Sequence, residues 1–216
     1  MVTGASGALG SGVVAALLER GAIVHAPVME ASWRGDARVQ ATFGVSLDDE
    51  AQVTAYYAAL PALWASIHLV GGFAMAPIAE TKLADLEKQW RMNTVTCFLS
   101  CREAVRALRR GAGGRIVNVA ARPVVTPVGG MIAYAAAKAG VASITQSLAA
   151  ELIGEGILVN AVVPSIIDTA VNRASMPKAD YDKWPKPAEL AEAIGFLASP
   201  QNTLTSGTLV PVYGRS

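Results

Sequence analysis

The sequence has little charge, few aromatic residues and almost no cysteine. Charged residues make up 16% of its 216 positions and aromatic residues 6%, whereas 52% are hydrophobic. The 18 basic side chains nearly cancel the 17 acidic ones and form no basic stripe, so we do not expect a nucleic-acid partner. A chain of 216 residues suits one α/β domain and is short for two, so we predict a single domain over residues 1–216.

Long uninterrupted hydrophobic runs are also missing. The one membrane-like stretch, Ala55 to Ala79, carries no formal charge and contains two prolines and two adjacent glycines. These residues break it into a helix end, a buried strand and a loop, none of which spans a bilayer. A secretory leader is not expected either, because the first glycine motif begins within four residues. We therefore expect a cytoplasmic protein without a membrane partner.

The two cysteines, Cys97 and Cys101, are spaced i,i+4 on a predicted helix. Thiols one helical turn apart are more often packing groups than metal ligands, and no His or further Cys lies near them in the sequence. We predict core or interface packing in a reduced protein, and no metal site.

Apolar runs alternate with amphipathic segments along the whole chain. This alternation predicts a Rossmann-type α/β fold, a doubly wound parallel sheet of about seven strands with helices on both faces. Only Met1 and Val2 precede the first glycine turn, against about five residues in an ordinary strand, so we expect either a clipped N-terminus or a misassigned start codon. The other predicted strands are Ile23–Ala26, Val39–Phe43, Ile67–Val70, Ile116–Val119, Leu158–Val163 and Thr208–Val212. The clearest predicted helices are Leu83–Arg110 and Met131–Ile153, with a loop-rich segment at about 165–187.

A glycine-rich turn, Thr3-Gly4-Ala5-Ser6-Gly7-Ala8-Leu9-Gly10, opens the first helix. Gly4 permits a tight turn, Gly7 lets the backbone approach a pyrophosphate, and Gly10 allows the helix to pack closely on the strand. A plain strand–turn–helix is the alternative, but the position at the start of an alternating chain favours a dinucleotide. The predicted cofactor contacts in this turn are Gly4, Ser6, Gly7, Ala8, Leu9 and Gly10.

Tyr134 and Lys138 form a second motif with i,i+4 spacing, which places both side chains on one helical face. A free tyrosine titrates near 10 and is too weak an acid to ionise readily at neutral pH. A lysine ammonium about 4–6 Å away would favour the phenolate and let Tyr134 shuttle a proton. The spacing also occurs by chance, so its meaning depends on the surrounding motifs.

These motifs together resemble the short-chain dehydrogenase/reductase family over essentially the whole chain. The resemblance rests on the order and the spacing of six motifs. They are the glycine turn, Asn93, Asn118, Tyr134 with Lys138, Val159-Asn160-Ala-Val-Val-Pro164, and Ser206-Gly207. It implies an NAD(P)-dependent oxidoreductase in which Tyr134 is the proton donor. Lys138 would lower the pKa of Tyr134 and bind the nicotinamide ribose, and Asn93 would kink its helix and hold a water.

The resemblance also implies further cofactor contacts and an oligomer. Gly71, Gly72, Pro164, Ile167 and Thr169 would line the cofactor site, the last three beside the nicotinamide. The expected assembly is a homodimer or homotetramer built on the long helices around Phe98 and Val141.

Several positions depart from the family pattern. The serine that usually precedes the tyrosine by thirteen residues, and donates to a substrate carbonyl, is Ala121 here. The usual Asn-Asn-Ala-Gly is replaced by Leu69-Val70-Gly71-Gly72, the usual Pro-Gly after strand six by Pro164-Ser165, and the glycine spacing is Gly-x-x-Gly-x-x-Gly. With the run from Asp168 to Asp180, these features look like dihydropteridine reductase, which reduces a quinonoid pterin and needs no polarised ketone.

The sequence allows alternatives for the cofactor, for the roles of four aromatic and histidine residues, and for the activity. Glu30 could accept from a ribose 2′-OH of NADH and Arg34 could meet a 2′-phosphate of NADPH, or both could be solvated loop charges. His25 and His68 are expected to be structural, whereas Tyr181 and Trp184 are expected to form a substrate lid in preference to ordinary loop packing. The alternatives to a reductase of a small carbonyl or quinonoid substrate are a non-catalytic dinucleotide sensor and a ketoacyl- or alcohol-type dehydrogenase without the usual serine.

Overall fold

Seven strands and seven α-helices follow one another in the computed structural model, which describes residues 1–216. The strands are β1 (Val2–Thr3), β2 (His25–Val28), β3 (Gln40–Phe43), β4 (Ala65–His68), β5 (Gly114–Val119), β6 (Ile157–Pro164) and β7 (Leu209–Val212). The helices are α1 (Ala8–Glu19), α2 (Glu50–Ala58), α3 (Leu83–Gln89), α4 (Thr96–Leu108), α5 (Ile132–Leu152), α6 (Ala170–Ser175) and α7 (Pro187–Ala198).

The main sheet is parallel and has five strands in the order β1-β4-β5-β6-β7. β2 and β3 form a separate parallel pair that contacts β1, so the seven strands are present but divide into sheets of five and two. The cause is the short first strand: β1 has two residues, which pair with Ile67 and His68 of β4. Fold class and strand direction are as predicted.

Helices cover both faces of the sheet, which explains why β5 and β6 are buried almost throughout. α1 and α7 pack through side chains such as Val13 and Ile194 on one face. α2, α4 and α5 pack on the other face. Val141 of α5 belongs to this second core and is only 2% exposed, so the predicted role of Val141 in an oligomer interface is wrong.

The connection between β2 and β3 contains no helix. Trp33 lies half-buried in this connection and packs against the core under α1 and α7. Strand β2 also begins two residues later than predicted, because Ile23 is 73% exposed and the pairing with β3 starts at His25.

The uncharged stretch from Ala55 to Ala79 contains the end of α2, strand β4 and a loop, as predicted. None of the helices combines the length and the apolar character needed to cross a membrane.

The loop-rich segment at 165–187 contains α6 and a single turn at Tyr181–Lys183. Trp184 is buried, and its ring lies edge-on to Tyr181 at 5.1 Å between centroids. The Tyr181 hydroxyl donates to the carbonyls of Arg173 and Met176 within the same segment. Trp184 therefore anchors the segment by packing, which contradicts its predicted role in a lid.

Candidate active site

A cavity of about 520 Å³ opens at the carboxyl ends of β1, β2 and β4. The strand order turns at this point, since β4 lies on one side of β1 and β2 on the other, and such crevices hold ligands in open α/β sheets. Gly4, Ser6, Glu30, Asp48 and Val70 are among the lining residues.

The glycine turn has the geometry that a pyrophosphate site needs. Gly4 has a φ of +68°, a conformation that side chains disfavour, and its Cα faces the backbone of Val70. A Cβ on Gly10 would lie 2.0 Å from the Gly4 carbonyl oxygen, so α1 can approach the turn only because Gly10 has no side chain. Gly7 precedes the first residue of α1 and no side chain caps that helix, so its first N–H groups stay available to an anion. These residues fit the pyrophosphate of a dinucleotide.

Glu30 reaches this turn and Arg34 does not. The Ser6 hydroxyl donates to Glu30 Oε2 at 3.1 Å, and both residues line the cavity. Arg34 donates to the carbonyls of Ala31 and Trp33 within its own loop and is absent from the cavity wall. Of the two candidates for the ribose, the structure brings only Glu30 to the site.

Sequence reasoning missed the far wall of the cavity. Leu47 and Asp48, which follow β3, line it together with Arg91 near the end of α3. Arg91 donates to Asp48 Oδ2 at 3.2 Å, and the Ser46 hydroxyl and Arg91 hold the pKa of Asp48 below its usual value. The available signal was the position of Asp48 just beyond the carboxyl end of a predicted strand.

Tyr134 lies in the first turn of α5, and its hydroxyl makes no hydrogen bond within the chain. The ring of Phe73, which is 59% exposed, packs edge-on against it at 4.9 Å between centroids. Burial raises the pKa of Tyr134 to about 12. The expectation that Lys138 lowers this pKa is not met in the structure, because the Lys138 ammonium is directed to another partner.

Lys138 is buried one turn after Tyr134, and its Nζ donates to the Val119 carbonyl at 2.8 Å. Burial lowers the pKa of Lys138 to about 8. Val119 ends β5, so the hydrogen bond fixes the lysine against the carboxyl end of the central strand. Tyr134 and Lys138 share a helical face, as the spacing predicts.

Asn93 lies in a π-helical turn, Trp90–Val95, that separates α3 from α4. Its Nδ2 donates to the carbonyls of Gln89 and Gly72, and its Oδ1 accepts from the Gly72 N–H at 3.2 Å. The predicted long helix is therefore interrupted at Asn93, as the family resemblance implies. Asn93 ties this turn to the loop after β4.

Gly71 lies between Asn93 and Lys138. A Cβ on Gly71 would come within 2.6 Å of Asn93 Oδ1 and 3.0 Å of Lys138 Nζ. The π turn is also tied to α5, because the Thr94 hydroxyl donates to the Ala137 carbonyl at 2.8 Å. Asn93, Lys138 and the Gly71-Gly72 loop thus form one packed unit, with Tyr134 one turn away on α5.

Ala121 is buried and begins the loop after β5. The next residue, Arg122, directs its guanidinium over the ring of Tyr213 at 5.0 Å. The position where the family pattern expects a serine therefore carries no side-chain donor.

The segment after β6 is held by local hydrogen bonds. Pro164 ends β6, the Thr169 hydroxyl accepts from the Asn172 N–H at the start of α6, and the Ile167 carbonyl accepts from Asn172 Nδ2. Asp168 forms an ion pair with Arg173 beside them. Pro164, Ile167 and Thr169 thus lie in an ordered loop at the carboxyl edge of the sheet.

His68 is a satisfied core residue, as predicted. Its Nδ1 lies 2.8 Å from Asn118 Oδ1, and its Nε2 lies 2.7 Å from the Ser66 hydroxyl. The fold also brings Cys101 Sγ to 3.5 Å from Nδ1, with Cys97 Sγ 3.9 Å further on. The premise that the cysteines lack a histidine neighbour is therefore wrong, because His68 is close in space although it is 33 residues away in sequence.

Comparison with known proteins decides the family. The sequence profile of the short chain dehydrogenases matches residues 1–180. The chain belongs to this family. It is thus an NAD(P)-dependent oxidoreductase, and the alternative of a non-catalytic sensor is set aside.

Individual short-chain dehydrogenases are similar over nearly the full length. The cis-4-hydroxycyclohexanecarboxylate dehydrogenase of Sinomonas cyclohexanicum is 30% identical, over 99% of this chain and 94% of its own. The D-threitol dehydrogenase of Mycolicibacterium smegmatis is 28% identical, over 99% and 90%. Among solved structures, the NADPH-bound short-chain oxidoreductase of Pseudomonas aeruginosa PAO1, a protein with an atypical catalytic centre, is 26% identical. It superposes with a TM-score of 0.88 over 99% of this chain and 94% of its own.

Proposed function

We propose that the chain is a reductase of a small carbonyl or quinonoid, pterin-like substrate, with Tyr134 as the proton donor. The observation that carries this proposal is a free Tyr134 hydroxyl beside an exposed aromatic ring, Phe73, with no hydroxyl donor at Ala121. A flat, electron-poor ring fits against Phe73 and needs no second donor to its oxygen or nitrogen.

The cofactor, three side chains and the glycine turn divide the chemistry between them. The bound nicotinamide supplies the hydride. The Tyr134 hydroxyl, whose pKa is about 12, keeps its proton at neutral pH and gives it to the substrate atom that gains negative charge. Lys138, buried beside Val119, would hold the nicotinamide ribose. Asn93 positions the Gly71-Gly72 loop and would hold a water that returns the proton. Gly4, Gly7 and the N-terminus of α1 would hold the pyrophosphate.

The absence of a donor at Ala121 selects among substrates. A simple ketone accepts hydride slowly unless its oxygen is polarised, and loss of one such donor costs a factor of about 10² to 10³. A quinonoid dihydropterin or a quinone is already electron-deficient and needs less help. This difference supports the dihydropteridine-reductase-like branch over a ketoacyl- or alcohol-type dehydrogenase.

Ala121→Ser tests the substrate class. Installing the hydroxyl should raise kcat/KM for simple ketones by about tenfold or more and change quinonoid reduction little, because only the ketone gains an electrophilic contact. The measurement is kcat/KM for both substrate classes in wild type, in Ala121→Ser and in the control Ala136→Ser on the exposed face of α5. Efficient ketone reduction by the wild type would overturn the pterin-like proposal and leave the family assignment standing.

Glu30 supports a preference for NADH. Its carboxylate lies at the glycine turn, where it would accept from a ribose 2′-OH and repel a 2′-phosphate. Glu30→Gln should raise the ratio of kcat/KM for NADPH over NADH by at least about tenfold, roughly 1.4 kcal/mol. Glu80→Gln, exposed and outside the cavity, is the matched control. A wild type that prefers NADPH would contradict this proposal.

We propose an oligomer built on α3, the π turn and α4. Leu86, Trp90 and Phe98 expose 38%, 44% and 50% of their surfaces along these helices, and a second copy of the chain would cover them. Light scattering should give a dimer or larger assembly at micromolar concentration. Phe98→Lys should shift the mass toward the monomer, whereas Phe196→Lys on α7, where Phe196 is 51% exposed, should not. A monomeric wild type would rule the assembly out.

A further inference from the structure

Three side chains with metal-binding atoms meet in the core behind Lys138. Cys97 and Cys101 lie one turn apart on α4, and His68 ends β4. Their sulfur and nitrogen atoms all lie within 4.8 Å of one another, and all three residues are buried. We call these residues the thiol–imidazole cluster. The proposed reaction uses none of them.

We propose that the thiol–imidazole cluster binds one thiophilic divalent ion of the Zn²⁺ class through Cys97 Sγ, Cys101 Sγ and His68 Nδ1. Zinc–ligand lengths of about 2.3 Å to sulfur and 2.0–2.1 Å to nitrogen place two sulfurs about 3.8 Å apart in a tetrahedron, and sulfur and nitrogen about 3.5 Å apart. The structure has 3.9 Å between the two sulfurs and 3.5 Å between Cys101 Sγ and His68 Nδ1. Two edges of the coordination tetrahedron are therefore already formed.

Asn118 completes the set with an oxygen. Its Nδ2 donates to the Thr145 hydroxyl, which itself donates to the Val141 carbonyl, so Oδ1 must face the cluster. Oδ1 lies 3.5 Å from Cys101 Sγ and 2.8 Å from His68 Nδ1. An ion between these atoms would have four protein ligands, and it would move Oδ1 and Nδ1 apart by about 0.6 Å, to the roughly 3.4 Å of a tetrahedral edge.

The hydrogen bonds around His68 allow the required tautomer. With Asn118 Oδ1 as acceptor, Nδ1 carries the proton in the metal-free cluster and Nε2 accepts from Ser66. Ser66 also lies 3.0 Å from the Tyr57 hydroxyl, and hydroxyl groups can either donate or accept. When Nδ1 binds an ion, Nε2–H can therefore donate to Ser66, the kind of contact that orients most metal-bound histidines.

An ion of this class binds cysteine as the thiolate, so both thiols of the cluster would have to lose their protons. Binding the ion would release the two thiol protons to solvent, while the imidazole proton of His68 would move from Nδ1 to Nε2. Asn93, four residues before Cys97 in the π turn, borders the Gly71-Gly72 loop, so the turn that precedes the cluster on the chain contacts this loop.

Titration of the whole protein with Co²⁺ tests the proposal, since Co²⁺ reports its ligands by absorption. We expect one ion per chain, thiolate-to-cobalt charge transfer in the near ultraviolet, and the strong visible bands of a tetrahedral ion, all displaced by Zn²⁺. The chain contains only two cysteines, so any thiolate band must come from Cys97 or Cys101. No charge-transfer band in the reduced wild type, or only the weak bands of hydrated Co²⁺, would overturn the proposal.

Variants assign the ligands. Cys97→Ser and Cys101→Ser should each weaken Co²⁺ binding at least tenfold and reduce the charge-transfer intensity, and His68→Asn should shift the visible bands. His25→Asn changes the other histidine, on β2 and outside the cluster, and should bind Co²⁺ like the wild type. Equal loss in His25→Asn would show adventitious binding and overturn the assignment. If a cluster variant fails to fold, the wild-type Co²⁺ spectrum still tests the proposal. A second test that needs no variant is whether Zn²⁺ protects both thiols from a disulfide reagent.

Discussion

Tyr134→Phe should lower kcat by at least about two orders of magnitude and leave cofactor affinity nearly unchanged. The hydroxyl has no hydrogen-bond partner within the chain, so its removal leaves no buried group unsatisfied. The ring keeps its edge-on contact with Phe73, which preserves the shape of the site. What disappears is the proton donor alone.

The measurement is kcat with a quinonoid acceptor, together with the Kd of NADH from its fluorescence. Tyr56→Phe is the matched control, because Tyr56 is buried on α2 and its hydroxyl also lacks a partner. That variant should turn over like the wild type. Near-normal turnover in Tyr134→Phe would remove Tyr134 from the mechanism.

Gly10→Ala should weaken cofactor binding by about a hundredfold. The added methyl would lie 2.0 Å from the Gly4 carbonyl oxygen and 2.8 Å from the Ala5 Cα, which are backbone atoms that cannot rotate away. The start of α1 must then shift from the glycine turn, and misplacing a binding group by about 1 Å can cost such a factor. Overpacking should also lower the free energy of unfolding by about 1–3 kcal/mol.

The control is Gly154→Ala, where an added Cβ meets nothing within 4 Å. Titration of NADH fluorescence gives both affinities, and thermal unfolding separates a displaced helix from an unfolded chain. Wild-type affinity in a folded Gly10→Ala protein would show that the glycine turn does not hold the pyrophosphate.

The sequence alone predicted the structure correctly where a local residue pattern is compatible with only one conformation. Three glycines before a helix predicted a close turn, and the contacts of Gly4 and Gly10 are of that kind. Spacing placed Tyr134 and Lys138 on one face of α5. Alternating apolar runs predicted the parallel sheet, because strands buried on both faces need no polar alternation.

The sequence alone could not predict contacts that depend on how helices and strands pack against one another. Val141 and Phe98 are both apolar helix residues, and periodicity alone does not tell which one faces the core and which one solvent. His68 meets Cys101 only because β4 lies under α4. The partner of the Lys138 ammonium is the carbonyl of Val119, a backbone group that no motif marks.

The π turn at Trp90–Val95 sets the rotation of α4 about its own axis. A π turn holds one residue more than an α turn, so every later side chain is rotated by about 100° relative to an uninterrupted helix. Deleting one residue from this turn would rotate α4 by that angle as a unit. Cys97 and Cys101 would swing out of the core and away from His68, while the face that carries Phe98 would change its direction. The length of this single turn, more than any side chain within α4, determines which residues of that helix meet the core.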